Sequence, residues 1–178
     1  DGVVNLVGAE HKGLAGTLNN QGRVVWAGGG QIWQNGGQII NRPGGVFEMQ
    51  SDTAMVLFGG VPANHNAGLI LKSGGAGATT LGVPLANTGT IEVQTGVISY
   101  ANGSVFSAGS SFTGTGTNLL ASGVVTLDGA IYSENLEIGG ATTAGTNTIS
   151  GTVTWTREWI GGAAVMTLAG GRCSAWRG

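Results

Sequence analysis

Short apolar segments recur along the chain, each opened by a glycine turn, and none is long enough for a helix. "GVVNL" begins at Gly2, "GRVVW" at Gly22, "GVFEM" at Gly45, "GLILK" at Gly68 and "GTIEV" at Gly89. "GSSFT" begins at Gly109, "GAIYS" at Gly129, "GTVTW" at Gly151 and "GRCSA" at Gly171. The spacings are 20, 23, 23, 21, 20, 20, 22 and 20 residues. The second position after each glycine holds Val4, Val24, Phe47, Ile70, Ile91, Ser111, Ile131, Val153 and Cys173. Eight of the nine are apolar, and Phe112 stands beside the exception, Ser111. The third position is mixed: Asn5, Val25, Glu48, Leu71, Glu92, Phe112, Tyr132, Thr154 and Ser174. Successive side chains of a strand point to opposite faces, so the second position is expected inside and the third outside.

A second apolar segment follows in most repeats, as Ile32-Trp33, Met55–Leu57, Val97-Ile98, Leu119-Leu120, Leu136–Ile138 and Trp159-Ile160. A third is visible as Ile39-Ile40, Leu85 and Val124–Leu127. Asn20, Asn66 and Asn87 each stand two residues before a repeat glycine, as in "LANTGTIEVQTG" at 85–96. Asn bonds its own backbone readily and Gly takes positive φ freely, which is corner chemistry. The pattern predicts an all-β fold: a single-stranded, right-handed parallel β-helix of about nine coils of 20–23 residues, filling 1–178 as one domain. Stacked at ~4.8 Å, such coils make a rod on the order of 40 Å long. Right-handedness is the strong default for parallel crossovers. Strands every 8–12 residues would also suit an antiparallel sandwich, but its strands have no reason to copy one another at a constant spacing.

Composition narrows the picture. Glycine supplies 36 of 178 residues and proline 3, with no Gly-x-y period, which excludes collagen. Charged residues make up 9% against 41% hydrophobic, which argues for a buried core rather than disorder. The net charge is −2 and the seven cations are scattered, so no nucleic-acid partner is expected. The longest apolar runs fall far short of a membrane span. The lone Cys173 has no internal disulfide partner. The sequence opens at Asp1 without a methionine or signal peptide, so a processed product or a slice of a longer array is expected.

The stretch 68–103, "GLILKSGGAGATTLGVPLANTGTIEVQTGVISYANG", places Asn87, Gly89, Ile91, Val93, Gly96 and Ile98 on an Asn-Asn-x-Gly turn followed by alternating strands. In this it resembles the repeat units of large bacterial surface and secreted β-helix proteins, autotransporter-like and haemagglutinin-like passengers. "GTVTWTREWIGGAAVMTLAGG" at 151–171 is similar to a later unit. The resemblance implies a right-handed β-helix, export to the cell surface or extracellular space, and a modular passenger region; with the nine-coil repeat, the low charge and no catalytic constellation, a structural, adhesin-like role without catalysis or cofactor is expected. The resemblance supplies no catalytic motif. Residues 172–178 depart from it, ending "RCSAWRG". Neither end has an evident polar cap, so end-to-end or edge-mediated self-association is expected.

Glu48 and Glu92 hold the same outward position two coils apart, with Tyr132 expected on the same line. At roughly 10 Å apart by strand spacing they loosely suit paired carboxylates. They read either as ordinary solvated positions or as a carbohydrate-binding face, and the second reading allows a polysaccharide hydrolase or lyase. Trp26 and Trp155 stand four after their glycines, with Met49 there too, as edge packing or as a sugar platform, and Lys72 in the same slot reads as a sign that the position is not uniformly buried. Trp33 and Trp159 carry the same ambiguity. His11 and His65 read as turn residues, the alternative being a metal site with Glu10. Cys173 reads as a small core residue or a reactive thiol. The Thr-x-Thr pairs fall at different offsets, against an ice-binding face.

Overall fold

The computed structural model describes residues 2–169 and contains no helix among them. Every strand pairing is parallel and joins one coil to the next. Each coil lays one strand on each of three faces. Faces 1 and 2 merge into one fifteen-stranded sheet, because Gly129–Ile138 passes from one to the other without a turn. Face 3 is a separate seven-stranded sheet. Eight coils are described, followed by the first strand of a ninth at Val165–Leu168. In the eighth, face 3 is reduced to the single bridge Thr143–Ile160.

The expected inward row runs Val4, Val24, Phe47, Ile70, Ile91 and Phe112. Phe112, not Ser111, fills that slot. Beyond it the glycine ruler fails. Ser133 pairs with Phe112, while Ile131 pairs with Ile149, only 18 residues on. Val153 pairs with Leu136 on face 2, so Gly151 lies at a corner and does not start a coil. The cause is local: Gly129–Ile138 and Thr146–Trp155 turn the first corner as continuous ten-residue strands with an irregularity between Ser133 and Leu136. The coil shortens, and a fixed period drifts out of register. The start expected at Gly171 and the tail at 172–178, with Cys173, lie outside the described residues.

The core is a continuous column. Trp26 meets Phe47 edge-on at 6.4 Å, and Tyr100, Phe106 and Phe112 form edge contacts at 5.2 and 4.9 Å. Burying each such ring contributes roughly 1.5–3 kcal/mol. Beside this column runs a polar spine. Asn20, Asn41, Asn66 and Asn87 pair in register at the face 3 corner, all buried. Each Nδ2 donates to the Oδ1 of the next: 2.7 Å from Asn20 to Asn41, 2.7 Å to Asn66 and 2.6 Å to Asn87. An amide both donates and accepts, so a stack of them satisfies itself at a corner where the backbone leaves carbonyls free. The spine stops where Phe106 and Leu127 take the slot. Next to it, Gly89 packs so tightly that a Cβ there would overlap the Gly68 carbonyl oxygen.

One buried polar group was misjudged from sequence. The slot of Trp26, Met49, Lys72 and Val93 is buried in all four of these coils, Lys72 included. Its ammonium donates to Asp52 Oδ1 (2.7 Å), Gly74 O (2.9 Å) and Thr79 Oγ1 (3.0 Å). All three protons of the ammonium are thereby used. Trp155 does not share this slot; it pairs with Ile138 on face 2 and is 45% exposed.

Candidate functional site

Outward side chains of face 1 carry the expected acidic positions. Glu48, Leu71 and Glu92 are indeed successive partners across three coils. Glu48, however, is only 4% exposed. Arg23 holds it as an ion pair, Gln50 Nε2 donates to Oε1 at 3.0 Å, and Ser73 Oγ donates to the same oxygen at 2.6 Å. Burial opposes ionisation most strongly, but the bonds from Ser73, Gln50 and Arg23, with the Arg23 charge, together hold the carboxyl below its ordinary value. Glu48 is therefore a closed ionic knot and not a solvated position. Asp52 is likewise held low, first by the Lys72 bond and then by the Gly77 amide.

Glu92 stays partly open, bonded only to Gln94 Nε2 at 2.8 Å. It borders a shallow groove of about 500 Å³ along the corner, floored by Gly45, Gly68 and Gly89 and walled by Leu69 and Thr90. Tyr132 is not on the Glu92 line. It pairs with Ser111, which places it in the Thr90 row, and Ser111 pairs with Thr90 where Thr113 pairs with Glu92. The register slip at the seventh coil explains the difference. The Tyr132 hydroxyl donates to Glu134 Oε1 at 3.0 Å, and this acceptor and its charge raise the phenol above its ordinary value. The structure thus separates the three expected residues: one closed, one groove-facing, one in another row.

His11 and His65 lie on different faces. His65 is outward on face 3 between Ile40 and Ala86. His11 stacks on Trp33 at 4.0 Å and 10°, and Trp33 stacks in turn on Phe58 at 5.0 Å and 15°. This three-ring ladder on face 2 went unread in the sequence. Phe58 is the extra residue of a bulge: Gln34 pairs with Leu57 and Asn35 with Gly59, leaving Phe58 unpaired. Phe58 is 63% exposed and the neighbouring Val61 94%.

The corner that follows has uneven length. The inward row on face 2 runs Lys12, Ile32, Met55, Leu81, Tyr100. The outward row on face 3 runs Asn19, Ile40, His65, Ala86, Val105. Between the two rows the chain takes seven, eight and ten residue steps in coils one to three, then five and five in the next two. The third coil therefore overhangs the fourth. The sequence signal was the 23-residue spacing from Gly45 to Gly68, whose excess holds "FGGVPA". No protein-family model matches the chain, and no curated protein or solved structure is significantly similar to it.

Proposed function

We propose that the chain is a structural, adhesin-like β-solenoid segment of an exported bacterial surface protein, without catalysis. The observation that carries this reading is the use of its buried ionisable side chains. Glu48 and Lys72 are each saturated by neighbours within the coil stack, as struts between coils, with no bond left for a reacting group. The low charge and repeat pattern that resemble bacterial surface passengers support the export. Attachment of the chain, displayed on an inert bacterium or bead, to host-cell surfaces is the expected result. Turnover of any member of a polysaccharide and ester panel, abolished by one point substitution, would refute it.

A second reading is polysaccharide binding along face 1, supported by the opening of Glu92 onto the glycine-floored groove. It predicts that Glu92→Gln weakens glycan binding while the fold survives. Equal binding by parent and variant would end that reading.

A further inference from the structure

We propose that the overhang at Phe58 is a binding site for a neutral pyranose ring of a glycan chain, stacked by its CH face on the open face of Phe58. The inference rests on the adhesin-like reading and names the ligand class at one place on the rod. Three observations carry it. The first is the ladder itself. His11, Trp33 and Phe58 stack in sequence along the rod axis. Trp33 covers one face of Phe58, yet 63% of the residue is exposed, so its other face is bare.

The second is the way Phe58 is presented. A bulge adds one residue to the third coil, and that residue is the ring. Alternation from buried Met55 already sets Phe58 outward with Val56, the partner of Trp33, and the bulge leaves the ring without a partner across the strand pair. The following coil drops from ten residue steps to five at this corner, so no segment of equal length stacks on the bare side of the ring. A further ring at the ladder's own spacing of 4.0–5.0 Å would continue the stack on that bare face. The apolar face of a pyranose meets an aromatic face at a similar distance.

The third is charge. From Gly28 to Asn41, from Thr53 to Asn66 and from Ser73 to Ile91 the sequence contains no Asp, Glu, Lys or Arg. The overhang and its floor therefore offer no counter-charge to an ionic ligand. They do offer neutral polar groups: Asn35 is exposed beside Gly59, and the Trp33 indole is fixed by Gln31 Oε1 at 2.7 Å. An uncharged platform with amide rims matches a neutral sugar in charge as well as in shape.

The test is titration of the chain with cellohexaose, chitohexaose and mannohexaose, followed by tryptophan fluorescence and by amide NMR shifts at 58–61. At least one hexasaccharide is expected to bind and to shift these amides. Phe58→Ala should weaken that binding about tenfold, as removal of a central aromatic anchor does, while Phe58→Trp retains it. The exposure of Phe58 keeps the fold intact in both, checked by circular dichroism. Failure of all three sugars to bind at about 10 mM would overturn the proposal. So would equal binding by Phe58→Ala, or shifts at 58–61 produced by N-acetyltyrosine amide but by no sugar. Cell attachment that survives Phe58→Ala would overturn the site and leave the adhesin-like reading standing. Sugar binding without any cell attachment would do the reverse.

Discussion

Removing Asn66 should cost far more than removing Asn87, although both are buried asparagines in one row. Asn66 Nδ2 donates to Asn87 Oδ1 at 2.6 Å, and to Gly68 O and Thr90 O, both at 3.3 Å. Asn66→Ala leaves Asn87 Oδ1 buried with no donor. It also takes from Asn41 Nδ2 one acceptor, though Gly45 O and Leu69 O remain. One orphaned buried acceptor, the lost bonds and the truncated side chain add to about 3 kcal/mol. Asn87→Ala orphans nothing. Asn66 Nδ2 keeps its two carbonyls, and Gly89 O still accepts the Ser111 amide at 3.1 Å. That substitution should cost about 1 kcal/mol. Chemical unfolding followed by circular dichroism separates the two. A third variant sharpens the argument. Asn66→Asp would aim a buried carboxylate at three acceptors, so its folded pKa must rise. Such a variant is least stable at neutral pH and recovers as the pH falls toward about 4. Equal costs for the two alanine variants, or an aspartate variant indifferent to pH, would refute the view of the spine as a directional donor–acceptor chain.

Three other outcomes follow from the same structure. Glu48 and Asp52 are held below their ordinary values of 4.5 and 3.8, so their ionised forms stabilise the fold above those values. That contribution is lost as the pH falls through the lowered values, and Glu48→Gln should flatten the acid limb of a melting-temperature profile. Lys72→Met should lower the melting temperature, because Thr79 Oγ1 and Gly74 O lose their donor inside the coil; an unchanged midpoint would contradict the strut role. Gly89→Ala should destabilise by at least about 2 kcal/mol through overlap with Gly68 O, whereas Gly29→Ala, with open space around its Cβ, should be near neutral in the same melt.

The repeat was legible because coils two to five each begin with a glycine that close packing demands, and an apolar residue two places on. Gly22, Gly68 and Gly89 each abut the backbone of the preceding coil, so the sequence must say glycine there. The seventh and eighth coils escaped because a bent strand replaces a turn, and a bent strand leaves no Gly signal at a fixed period. The role of Glu48 was hidden for a different reason. Its partners Arg23 and Ser73 are 25 residues away on either side, and only the stacking brings them onto one carboxylate. Lys72 looked exposed because its slot neighbours say nothing of Asp52 and Thr79, which meet it across its own corner, from the preceding coil and from face 2. The ring ladder of His11, Trp33 and Phe58 went unread because its members stand 22 and 25 residues apart, and only the pairing of Trp33 with Val56 sets Phe58 beside Trp33.

The all-parallel pairing of successive coils has a mechanical corollary. Pulled from its ends, the rod has no long strand to shear as a unit; the terminal coil peels, bond by bond, before its neighbour bears full load. Each coil of 20 or so residues frees on the order of 70 Å of chain while shortening the rod by about 5 Å. A tether built this way lengthens in steps under tension and sheds force before an attachment at its tip is torn loose.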